Sequence, residues 1–185
     1  ISFPLTLDIN SDNPPQIYLS FIWISTLLVT MLGTELIFSD DFEDGTLEQY
    51  AVNNNLIEIV FYKILVHWVL IGIPLALVAF LFILSLDISL QISSIALLCL
   101  IISNLIFINF FSLGNALSLK KGSILGLLIT IPFLIPVLIV LGKMTTSALL
   151  GLSLVGHLSL LVGVMILVAS FIPFIISFIL RTHLE

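Results

Sequence analysis

Long apolar runs separated by a few short polar breaks set the pattern of this chain, and the runs are longer than any soluble helix needs. Residues 88–119, 122–142 and 144–180 contain no Asp, Glu, Lys or Arg. A bilayer core is crossed by about 20 apolar residues in a helix. Backbone groups in hydrocarbon must pair within their own segment or in a closed barrel, which favours helices here. The pattern predicts an all-α polytopic membrane protein with five visible transmembrane helices, over 17–38, 60–86, 92–113, 123–141 and 157–180, in a single domain 1–185. Residues 1–16, with Pro4, Asp8, Asp12, Pro14 and Pro15, read as an outer-face segment.

Within this frame the run 144–180 needs dividing. As one straight helix it would be roughly 55 Å long against a core of ~30 Å. Thr145, Thr146, Ser147, Gly151 and Ser153 mark 144–156 as a short interfacial or re-entrant segment, with the fifth span starting near His157. Pro74, Pro132 and Pro136 fall inside spans and predict bends. Tyr18 and Trp23 open the first span, and Lys63, His67 and Trp68 head the second, where amphipathic side chains favour the membrane edge.

Composition narrows the function classes. Five basic residues against eleven acidic ones give a formal charge of −6, with no basic patch to hold nucleic acid. Membrane lipid is the medium for the whole chain. Cys99, the single cysteine, reads as a small buried hydrophobe. The spans have no centrally placed Asp, Glu, Lys or Arg, which disfavours ion-coupled transport. His67, Asn104, Asn109, Asn115 and His157 are the intramembrane polar groups, and the two deep asparagines, Asn104 and Asn109, are expected to face other helices. No nucleotide-binding loop, zinc-protease motif or nucleophile elbow is present, so no catalytic residue, metal ligand or directly bound cofactor is assigned. With alternating spans, 40–58, Lys63, Lys120, Lys121 and Arg181 share one face and Lys143 takes the other. The positive-inside rule makes the first face cytoplasmic, or matrix-facing in a mitochondrion.

That face also carries the one dense polar motif, Ser39-Asp40-Asp41-Phe42-Glu43-Asp44-Gly45-Thr46-Leu47-Glu48-Gln49-Tyr50. Asp44-Gly45 signals a turn. Thr46 and Gln49 fit a capping box, so a helix is expected from Thr46. Two readings stand side by side: a solvated acidic loop, or a docking helix for a soluble partner. In the second, Asp40, Asp41, Glu43, Asp44 and Glu48 supply charge, Gly45 the turn, and Phe42, Leu47 and Tyr50 the apolar anchors.

The run from Phe38 to Gln49, followed by Lys63 and the His67-Trp68 pair, resembles the CcmB family, as do Gly114-Asn115-Ala116-Leu117 and the proline-bearing fourth span. That family supplies the membrane permease subunit of the cytochrome c maturation ABC system. The resemblance implies a bundle like half of a type-2 ABC exporter, with 40–58 as its inner-face coupling helix. It also implies a sixth span preceding the five visible ones, in keeping with a start at Ile1. Further implications are an ATPase subunit, CcmA, that uses the ATP, association with CcmC, CcmD and the haem chaperone CcmE, and haem as the ligand transported or handled. The membrane would be a bacterial inner membrane or the mitochondrial inner membrane. A permease for another substrate and an assembly subunit without an ATPase remain the alternatives.

Overall fold

The computed structural model describes residues 14–53, 55–86, 88–119 and 123–184. All regular structure among them is helical. Five helical stretches are long and apolar enough to cross a membrane. The first span is α1, Pro14–Gly33. Two short helices follow, α2 over Ser39–Glu43 and α3 over Thr46–Val52. The second span comprises α4, Leu56–His67, a π-helical turn, Trp68–Gly72, and α5, Ile73–Leu84. The third, fourth and fifth spans are α6, Leu90–Ser118, α7, Ser123–Leu149, and α8, Val155–Leu184.

The third span is the hub. It packs against the first, second, fourth and fifth spans. In its most apolar stretch 61% of the residues are buried, against 22–39% in the other spans. Along its middle the buried positions run nearly without a break, through Ile102, Ser103, Asn104 and then Ile106, Phe107, Ile108 and Asn109. A helix covered round most of its circumference is one that lies inside a bundle. Asn104 and Asn109 are both buried, as expected for deep asparagines. Near the C-terminal end of this helix Gly114 meets Gly126 of α7, where a Cβ would run into the Gly114 carbonyl and the Ser118 hydroxyl. Small residues let two helix backbones approach this closely.

Several expected boundaries shift, each for a local reason. The segment 144–156 does not form a helix of its own. Met144 through Leu149 continue α7, and only a short turn through Gly151, at φ +67°, precedes α8. The Thr145 and Thr146 hydroxyls bond back to the carbonyls of Leu141 and Gly142, so these polar residues fit inside a helix. Their oxygens also accept from α1, Thr145 from Trp23 Nε1 at 3.0 Å and Thr146 from Gln16 Nε2 at 3.1 Å. Trp23, expected at the membrane edge, is therefore buried against α7. Pro14 and Pro15 open α1 rather than precede it, because the first helical positions need no N–H partner.

The bend expected at Pro74 takes the form of the π-helical turn just before it. Proline cannot donate to the carbonyl four residues earlier, and a locally widened turn absorbs the mismatch. Asn104 Nδ2 donates to the Gly72 carbonyl at 2.9 Å, bonding the disturbed stretch to the hub. Trp68, expected as an interface marker, is half-buried and donates from Nε1 to the Ile101 carbonyl at 3.0 Å. By contrast, α7 and α8 stay helical through Pro132, Pro136 and Pro173.

Candidate functional site

The charged element forms an elbow between the first and second spans. Helix α1 ends at Gly33, and hydrogen-bonded turns lead through Thr34–Phe38 into α2. The segment 40–58, expected as one coupling helix, is divided: two short helices meet at Gly45, whose φ of +78° lies in the left-handed region that glycine adopts freely, and residues 56–58 already belong to α4. Thr46 is not the cap of a capping box. It is the first residue of α3, after Gly45 at the N-cap position, and the Asp44 carboxylate serves it from the turn: Oδ1 accepts from the Thr46 N–H at 2.9 Å and from the Thr46 hydroxyl. Those two bonds to the ionised carboxylate hold Asp44 below the ordinary aspartate range.

Two tethers fix the elbow to the bundle. Lys63, on α4, pairs with Asp41 at 2.6 Å and donates to the Ile37 carbonyl at 2.8 Å. Its ammonium also lies 5.8 Å from the centre of the Phe38 ring. Asn115, on the third span, accepts from the Phe38 N–H at 3.0 Å, donates to the Glu35 carbonyl and lies 3.1 Å from the Ser39 hydroxyl. One turn beyond Lys63, His67 Nδ1 meets the Lys63 carbonyl at 2.9 Å. A carbonyl only accepts, so Nδ1 carries a proton. Glu35, Asp40, Asp41, Lys63 and His67 line a polar cleft of about 320 Å³ beneath the elbow. Among the described residues no three His, Cys, Asp or Glu side chains gather as metal ligands.

The structure divides the expected docking residues into two sets. Leu47 is fully enclosed, and Phe42 and Tyr50 pack on the chain's own core. These three anchor the elbow to the bundle, so Leu47 is not available to a partner. Asp40, Glu43, Asp44 and Glu48 are exposed, and Asp41 is committed to Lys63. The exposed side of the elbow is chiefly acidic and polar, with Val52 exposed at its end. Asn115 is the residue whose place in the site hydropathy did not reveal; the pattern shows it buried, without showing what it holds. Lys120 and Lys121, counted on the same face, lie outside the described residues.

Fold and site together define a multi-pass α-helical membrane protein whose charged, non-spanning element sits at one end of the bundle. Residues 3–183 match the family model described as CcmB protein, and the chain belongs to the CcmB family. Among its relatives, heme exporter protein B of Pseudomonas aeruginosa is 33% identical over 178 residues, which are 95% of this chain and 80% of that protein. Heme exporter protein B of Haemophilus influenzae is 31% identical over 186 residues, covering 99% and 84%. That of Rhodobacter capsulatus is 30% identical over 171 residues, covering 89% and 77%.

Proposed function

We propose that this chain is the membrane permease subunit of a haem-export ABC complex in cytochrome c maturation, and that its elbow docks the ATPase subunit CcmA. Family membership and the names of the relatives support the haem side of this reading. One observation supports the docking side. Four exposed carboxylates ride on an element bonded into the bundle by Asn115 and Lys63. A merely solvated loop would not need such a mount. Anionic lipid headgroups repel an acidic surface, whereas a basic or polar protein groove complements it.

In this reading the elbow lies on the cytoplasmic or matrix side. ATP hydrolysis in CcmA moves it, and the bundle carries that motion to haem or to release of haem-loaded CcmE, with CcmC and CcmD as fellow members of the complex. The chain itself performs no chemistry. Glu43 and Glu48 are the residues to test, since both are exposed and neither holds the elbow. A Glu43→Lys, Glu48→Lys variant should insert normally, lose co-purification of CcmA and lose holo-cytochrome c. Equal recovery of CcmA with the variant and the unmodified chain would remove the docking role.

A further inference from the structure

The turns that join α1 to α2 are held in part by side chains from the bundle. The Phe38 N–H and the Glu35 carbonyl both belong to this connection. Both are taken by one side chain, that of Asn115, which also reaches the Ser39 hydroxyl. Asn115 is fully buried, so no water replaces these bonds. Only a short primary amide offers an acceptor and two donors in one plane. An aspartate in its place would lack the donors, and a leucine would lack donors and acceptor alike.

The opposite tether is softer. The Lys63 and Asp41 side chains keep 25% and 20% of their surface exposed, and a lysine stem is flexible. The residue that holds the elbow backbone in a fixed place thus sits on the helix that packs against every other span.

We propose that Asn115 is a positioning residue for coupling: it binds the elbow backbone to the third span, so that displacement of the elbow enters the bundle through that helix. This inference rests on the docking role proposed above. The test has two arms, both in membranes from cells that also make CcmA, with Cys99→Ala as background so that introduced cysteines are the only ones.

The first arm places Ile37→Cys in the buried turn, 4% exposed in the chain as it stands. A water-soluble maleimide should leave this cysteine unlabelled beside Asn115 and label it when Asn115→Leu is added. An unlabelled cysteine in the Asn115→Leu chain overturns the clamp. The second arm measures holo-cytochrome c formed per ATP hydrolysed. Asn115→Leu should keep CcmA bound yet lose most of that ratio, with Asn115→Asp and Ser39→Ala losing less. If CcmA recovery and product fall together at a constant ratio, Asn115 only supports the fold and the proposal fails. If CcmA is not recovered even with the unmodified chain, the docking reading fails, while the labelling arm still judges the clamp.

Discussion

At the end of the bundle that holds Trp23 and Thr145, the ties run from helix to helix; at the end that holds Asn115 and Lys63, they run from helices to a bent segment between them. The first kind is two side-chain hydrogen bonds between α1 and α7. The second kind is a buried amide reading backbone atoms and an ion pair with a backbone hydrogen bond beside it. Helices bring their own backbone bonds into the membrane, so side chains between them add little. A bent segment brings orphaned N–H and C=O groups, and side chains from the spans must supply the partners. Breaking one tie should therefore cost far more at the elbow end than at the other.

The contrast can be broken most severely at the close approach of the third and fourth spans, beside the elbow. Gly126→Leu forces a side chain into the Gly114 backbone. The two helices must separate, at a cost of about 3 kcal/mol or more. Loss of the monodisperse peak in detergent, with lower thermal stability, is the expected result. Next in size is Lys63→Met, which removes both the Asp41 pair and the bond to the Ile37 carbonyl. Hydrogen bonds to charged groups put its cost at ~2 kcal/mol. A double-mutant cycle with Asp41→Asn should show strong coupling between the two sites.

At the other end the same kind of cycle should give a small number. Trp23→Phe and Thr145→Val remove one interhelical bond, which averages about 0.6 kcal/mol in membranes. A coupling there as large as that of Lys63 with Asp41 would erase the difference between the ends.

The smallest effect is confined to the elbow tip. Asp44 is held below its ordinary range by two bonds from Thr46, so the folded state favours its ionised form. That contribution is fully present above the unfolded-state value and is lost as pH falls through the lower, folded one. The protection factor of the Thr46 amide should fall across that acid window, while the buried bonds of Asn115 stay intact. Asp44→Asn should flatten the profile.

Number and order of spans were legible because length and hydropathy alone decide what can cross a bilayer. The elbow was legible as well, since five acids in nine residues stand out against a chain this apolar. What hydropathy does not carry is direction. Trp23 and Trp68 read as edge residues by type, yet each found a partner inside, Thr145 and the Ile101 carbonyl. The polar run at Thr145 and Thr146 suggested a break, but threonine hydroxyls can bond to the preceding turn and keep a helix whole. For Asn115 a signal did exist. It lies eleven residues, about three turns, after Asn104, which puts both on one face. The spacing marks an inward residue without saying that it reads the backbone of another segment, because that segment's bend is itself a product of folding.

The side of the membrane on which the elbow lies decides the account most directly. With Cys99→Ala as background and Glu48→Cys as the reporter, an impermeant maleimide can be applied to sealed vesicles of either orientation. Labelling is expected in inside-out vesicles, where the cytoplasmic or matrix face is outermost, and none in right-side-out ones. Labelling confined to right-side-out vesicles would contradict it, since no ATPase works on that side.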